Sequence, residues 1–188
     1  MANEHELTDP RIARTRRDVI TVAADVLLRQ GWEHVSHAEV ARQSGYSKAT
    51  IYTHWPQRID LVRDAVDRIC DQSHHPDPTG DTRADLIGGL ADFAADLSTG
   101  QLARVVGGVI ERSGTDPVID GLRARLYAAG TAGLRRILEG RLPAEELESL
   151  LALLTGAVFM RVTFAAEPAD EAFVADLVDR VVPSGLVS

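Results

Sequence analysis

Lys48, Thr50, Tyr52, Thr53 and His54 crowd into one short stretch just beyond Gly45, with Ser36 and His37 before that glycine and Arg58 after it. An ammonium, a guanidinium, imidazoles and hydroxyls in such a cluster suit recognition of an anionic polymer by hydrogen bonds and charge. Short donors at a helix N-terminus reach phosphate easily, because free backbone N–H groups and the helix dipole already favour an anion there. Lys48 is long enough for guanine O6/N7 or for a phosphate, and both remain open. Thr50 and Thr53 are too short for bidentate base reading, but their methyls can touch thymine. Tyr52 reads as a DNA-facing phenol or as a core aromatic, and His54 as a contact or a solvated histidine. Ile51 and Trp55, four apart, claim the buried side of the same helix. Bond-making chemistry has no comparable signature: the chain carries no nucleophile elbow, phosphate loop or His-Glu-x-x-His. The expectation is a DNA-binding regulator and not an enzyme.

Residues 36–58 would position these groups as a helix-turn-helix, two short helices meeting at a glycine corner. Ser36 is the expected N-cap of a helix over 37–43 that buries Val40 and Ala41, and 47–54 is the second. An earlier helix begins at Thr15, with Asp18 as an acidic capping partner, and ends at Gly31. Pro56 opens a fourth helix running to about residue 73 on the stripe Leu61, Val62, Ala65, Val66, Ile69 and Cys70. Residues 1–10 read as a polar, disordered lead. The run His74-His75-Pro76-Asp77-Pro78-Thr79-Gly80 breaks all periodicity and marks a boundary. Beyond it helices are expected near 82–98, 102–113, 117–139, 144–165 and 169–182, with no strand. The glycine pairs 88–89 and 107–108 fall inside two of them, where close helix contact or a broken helix would explain them. The predicted fold is all-α with about nine helices. A DNA-binding domain over 11–58 is continued by a connecting helix to about 74, and a second domain spans 81–188.

Net charge is −8 over 188 residues, which taken whole argues against nucleic acid. Its distribution argues the other way: residues 11–58 hold eight Lys/Arg against four Asp/Glu, whereas 59–188 hold twelve against twenty-one. A cationic head on an acidic body can meet phosphate while the body stays off the duplex. The single cysteine, Cys70, excludes an intrachain disulfide and suits a reducing cytoplasm. The absence of an unbroken apolar run of membrane-spanning length, or of a basic-then-apolar leader, gives the expectation of no membrane span and no signal peptide.

The order Arg17…Ile20…Ala23-Ala24…Leu27…Gly31, then Val35-Ser36…Val40-Ala41…Ser44-Gly45-Tyr46-Ser47-Lys48-Ala49-Thr50-Ile51-Tyr52…Trp55…Leu61, resembles the DNA-binding head of the TetR family of transcriptional regulators over about residues 14–70. Leu154-Thr155-Gly156-Ala157 and Phe173-Val174…Leu177-Val178 are similar to that family's last two helices. The resemblance implies that Ser36 caps the second helix beside a phosphate. It places Lys48, Thr50, Tyr52 and His54 on the recognition helix, with Arg58 just past it, and it gives the Tyr52 hydroxyl to a backbone phosphate. Ala38 departs from the family's polar residue at that position, and His37 is the candidate to read bases in its stead.

For the body the resemblance implies a homodimer on a palindromic double-stranded DNA operator and a small-molecule effector, of unknown identity, that releases it. Interface candidates are Leu147, Leu150, Leu151, Leu154 and Val158, continued by Val162, with Phe173, Leu177 and Val181; packing of both stripes inside one subunit is the alternative. Pocket candidates are Phe93, Leu97, Val106, Ile110, Tyr127, Phe159 and Thr163, residue types that more often form plain core, and Arg104, Arg123 and Arg161 could meet an anion or form surface pairs. A DNA-binding dimer without an effector, and a helical carrier or enzyme, are the competing readings. No cofactor is expected. His74-His75 in a proline-rich hinge makes a poor metal cage, Cys70 has core spacing, and Glu145-Glu146-Glu148 is a solvated helix start.

Overall fold

The computed structural model describes residues 10–73, 75–114 and 116–186, and it contains nine α-helices and no strand among them. Of the expected disordered lead at 1–10, residues 1–9 lie outside the described residues, as does His74 of the hinge, while Pro10 already belongs to the first helix. Two compact units result. The first gathers the chain through Gln72 with Arg104–Leu126, and the second holds Ser73–Ala103 and the chain from Tyr127 onward.

In the first unit, α1 is Pro10–Gln30, α2 His37–Ser44, α3 Lys48–His54 and α4 Arg58–Asp71. α1 starts five residues before the expected Thr15. Pro10 has the fixed φ and missing N–H that a first helical turn tolerates, and Asp18 is engaged by Arg14 at 3.8 Å and the Tyr46 hydroxyl at 3.0 Å. α1 buries Val19, Ala23, Ala24, Val26 and Leu27. It ends at Gly31, whose φ of +90° suits glycine. Arg104 donates to its last carbonyls, Leu28 at 2.7 Å and Arg29 at 3.0 Å. Ser36 Oγ caps α2 by accepting from Glu39 N at 3.2 Å, and Ser47 Oγ caps α3 by accepting from Thr50 N at 3.1 Å. α4 opens two residues after Pro56, because Gln57 is its N-cap and Asp60 accepts from the Gln57 N–H at 3.1 Å. Thus Pro56 lies in the connection and not in the helix.

The remaining helices are α5 Thr82–Ser98, α6 Gln101–Arg112, α7 Pro117–Leu138, α8 Ala144–Phe159 and α9 Glu171–Val181. The glycine pairs do sit inside α5 and α6, and one member of each explains itself. A Cβ on Gly89 would lie 3.1 Å from Leu134 Cδ2, and one on Gly108 would lie 3.3 Å from Trp32 Cβ. α8 does not continue to 165 as a regular helix. At Met160–Phe164 it widens into a π-helical turn closed by Ala165 N–H to Met160 O at 3.0 Å. α9 begins at 171 because Asp170 caps it, accepting from Phe173 N at 2.9 Å.

The core of the second unit is aliphatic: Leu86, Leu90, Leu97, Leu138, Leu151, Leu154, Val158, Val174 and Val178. For the α8 stripe an expectation is corrected: Leu147, Leu150, Leu151, Leu154 and Val158 are buried against their own bundle at 0–7% exposure, whereas Phe173, Leu177 and Val181 on α9 are half-buried and pack partly against it. The five α8 residues follow its core-facing stripe, which hydrophobic spacing alone cannot distinguish from an interface stripe. The large apolar side chains that α8 and its turn leave exposed are Leu153, Met160 and Phe164. This Ala144–Phe164 segment has the length and mean hydropathy (1.5) of a membrane-spanning helix, although the sequence suggested none. Its buried face belongs to the bundle core.

Candidate DNA-binding surface

α2 and α3 meet at Gly45, whose φ of +76° turns the chain through the left-handed region where a side chain is strained. Beneath α3, Ile51 and Trp55 are fully buried, at 0% and 1% exposure, as their spacing predicts. That burial turns Lys48, Tyr52 and Thr53 outward; all three are exposed, while Thr50 and His54 are half-buried. Lys48 and Tyr52, four apart, share one face.

Local hydrogen bonds hold the short side chains. Thr50 Oγ1 and Ser47 Oγ are 2.8 Å apart, and the Thr53 hydroxyl donates to Ala49 O at 2.9 Å. His54 stands edge-on to Trp55 at 5.6 Å. On α2, Glu39 accepts from Arg42 and Gln43, and these donors lower its carboxyl to about 2. Arg42 is thereby paired and its charge is compensated within the helix. Lys48 has no such partner among the described residues.

Three elements anchor the recognition helix. The indole Nε1–H of Trp55 donates to Asp64 of α4 at 2.8 Å, Arg16 of α1 lies 3.5 Å from the same carboxylate, and its guanidinium sits 5.3 Å over the Trp55 ring. From the other side His37, the first residue of α2, brings its Nε2 to 2.7 Å from the Trp55 carbonyl.

Two expected contacts are placed elsewhere. His37 is buried, stacked on Tyr52, and does not face outward to read bases in place of Ala38. Arg58 folds back: its Nε–H donates to Val35 O at 2.7 Å and its Nη2 to Trp32 O, with the guanidinium 6.0 Å from the Trp32 ring. Those carbonyls lie in the turn between α1 and α2; Trp32 O also accepts the Val35 N–H at 3.2 Å, and the long cation at the start of α4 adds donors to both. Sequence reasoning missed Asp64 and Arg16, and it gave Asp18 a capping role where the structure gives it the Tyr46 hydroxyl. The available signal was chemical, since buried Trp N–H and Tyr O–H groups seek acceptors.

In the second unit, Leu97 is core, Phe93 and Phe159 pack against that core, and Thr163 donates to Phe159 O at 2.6 Å. Tyr127 is exposed and reaches Glu148 at 3.4 Å. In the first unit Val106 is half-buried and Ile110 is exposed. Arg161 donates to Pro168 O at 2.7 Å and lies 4.3 Å over Phe173, Arg123 sits 3.9 Å from Asp120, and Arg104 is committed to α1. The Cys70 thiol is pushed up by burial, an inert setting.

Comparison with known proteins agrees with this architecture. A model of bacterial regulatory proteins of the tetR family matches residues 19–65, and one of the tetracyclin repressor-like C-terminal domain matches residues 76–181. An uncharacterised HTH-type transcriptional regulator of Bacillus subtilis, YdeS, is 25% identical over 90% of this chain and 88% of its own. A DNA-binding transcriptional repressor TetR of Mycobacteroides abscessus is 37% identical over 37% of each chain. The crystal structure of the TetR family transcription regulator SCO0332 superposes with a TM-score of 0.64 at 32% identity, covering 90% of this chain and all of that one. That of the multidrug binding protein EbrR complexed with imidazole gives 0.53 at 25% identity, covering 93% and 92%. Helix-turn-helix geometry, matched family models at both ends and full-length structural similarity lead to one conclusion: this chain belongs to the TetR family of helix-turn-helix transcriptional regulators.

Proposed function

We propose that this regulator is a repressor that binds a near-palindromic operator as a homodimer and leaves it when a small molecule enters the acidic body. The observation that carries the reading is the outward face of α3, where exposed Lys48 and Tyr52 stand over buried Ile51 and Trp55. In this reading residues 11–58 meet DNA and 81–188 bind the effector and the second subunit. Ser36, Lys48, Thr50, Tyr52, Thr53 and His54 supply the contacts, with Tyr52 on a phosphate. One seven-residue helix reads few base pairs, so useful affinity needs two heads on half-sites about 34–36 Å apart or somewhat more.

For the second subunit, the exposed set of Leu153 on α8 with Met160 and Phe164 on its π-helical turn is the surface that supports pairing. For the effector, the support is that Phe93 and Phe159 pack against the core that holds Leu97, with Thr163 donating to Phe159 O, together with the similarity to the multidrug binding protein EbrR. A ligand that binds one head spacing better than the other must oppose DNA by linkage. No catalytic role is assigned.

The test is fluorescence anisotropy with duplexes from the region upstream of the gene, followed by native mass spectrometry of the purified protein. Saturable binding that competing random DNA does not abolish, and a co-purified small molecule that releases the duplex, are expected. Saturable binding with nothing able to release it would leave a dimeric DNA-binding protein without an effector.

A further inference from the structure

Position alone makes His37 a base-reading candidate; its surroundings give it another task. It is the first residue of α2 and only 8% exposed. Its ring lies flat on that of Tyr52, with centroids 4.0 Å and planes 7° apart. A carbonyl oxygen only accepts, so the 2.7 Å contact from Nε2 to Trp55 O places the hydrogen on Nε2 and fixes the tautomer. Trp55 is the C-cap of α3, and a carbonyl there has no intrahelical donor to satisfy it. One imidazole thus ties the start of α2 to the end of the recognition helix by its edge and backs the Tyr52 phenol with its face. Tyr52 itself is 51% exposed. A tyrosine that open to solvent samples more than one side-chain well unless something selects among them, and here a buried plate covers one face of the ring.

We propose that His37 is a positioning residue for DNA recognition: without touching the duplex, it holds the Tyr52 phenol in the orientation that meets phosphate. The proposal rests on Tyr52 contacting DNA, as read above. It differs from a plain folding role because its effect must pass through Tyr52. Two substitutions separate the ring from the donor. His37→Gln keeps an N–H able to reach Trp55 O and removes the stacking face. His37→Phe keeps the face and removes the donor.

The experiment is a double-mutant cycle on the full chain, read by anisotropy at low salt with a labelled random-sequence duplex, since a phosphate contact does not depend on sequence. His37→Gln should weaken binding about 3- to 10-fold in the Tyr52 background, and by less than about 2-fold in a Tyr52→Ala background. His37→Phe should retain most of the affinity while melting at a lower temperature. An equal loss in both backgrounds, or no loss in either, overturns the proposal while leaving the DNA reading intact, provided Tyr52→Ala itself weakens binding. If Tyr52→Ala binds like the wild type, or the wild type binds neither this duplex nor the upstream one, the reading of the surface fails first and the proposal falls with it.

Discussion

The indole N–H of Trp55 and the carboxylate of Asp64 meet at 2.8 Å, joining the end of the recognition helix to α4. Trp55 is 1% exposed, and Arg16 closes the same carboxylate from α1. Three helices therefore share one acceptor. Replacing it with alanine would leave a buried N–H without a partner, at a cost of roughly 1–3 kcal/mol. Asp64→Ala should lower the thermal midpoint by that measure, and Trp55→Phe in the same background should remove most of the penalty. Additive losses in the two-variant cycle would show that the pair is not coupled.

Among the described residues Lys48 is exposed and has no ion-pair partner, whereas Arg42 is paired with Glu39 and Arg58 is committed to the carbonyls of the α1–α2 turn. Lys48→Ala should therefore weaken DNA binding and reduce the salt slope by roughly 1, the counterion release of one phosphate contact. If Lys48 instead reads a guanine, choice should relax at one base pair by about 1–3 kcal/mol. Titration of specific and random duplexes over a salt series distinguishes the two.

The corner itself can be tested apart from DNA. Gly45 has φ +76° and open space where a Cβ would go, so Gly45→Ala is penalised by backbone conformation and not by a clash, at roughly 1–2 kcal/mol. Gly89→Ala differs in kind, because Leu134 must give way. Calorimetric melts should show a loss at 45 that repacking cannot recover, and a loss at 89 that Leu134→Ala partly relieves.

Acid should loosen the body through its paired carboxylates. Asp179 is held below its ordinary value of 3.8 by hydrogen bonds from Arg83, Asp85 likewise by Thr79, and Glu148 below 4.5 by Arg135. A lowered folded-state pKa means stability that is complete above the ordinary value and lost as pH falls through the folded one. Unfolding followed from pH 5 downward should steepen below about 4, and Asp179→Asn should flatten that limb. An unchanged acid limb in this variant would show that the Arg83 pair contributes nothing.

Much of this was legible in the sequence, and the omissions have physical reasons. The glycine corner, the Ser36 cap and the buried pair Ile51 and Trp55 are local features, set by backbone conformation and helical period. Asp64, Arg16 and His37 act through contacts between helices, which spacing along one chain does not encode. The α8 stripe was misplaced because a leucine row looks the same whether its cover is the same subunit or another. Arg58 was misjudged because a long cation near a recognition helix reads as a phosphate ligand until the carbonyls of Trp32 and Val35 that accept from it are seen beside it.

The subunit reading has its own test. Leu153→Glu with Phe164→Glu places charge on the exposed face of α8 and leaves the buried stripe untouched. The wild type should sediment at twice 20.4 kDa, the variant as a folded monomer with weak operator binding. A variant that remains dimeric moves the interface off this face.

The most direct measurement of the central claim is the affinity of the wild type, Lys48→Ala and Tyr52→Phe for one upstream duplex, each over a range of salt. The surface formed by α3 predicts a steep fall with salt for the wild type and weaker binding with shallower dependence for Lys48→Ala. It also predicts a loss of about 1.5–3 kcal/mol when the Tyr52 hydroxyl is removed from a charged phosphate. Three superimposable curves, or a flat salt series for the wild type, would contradict it.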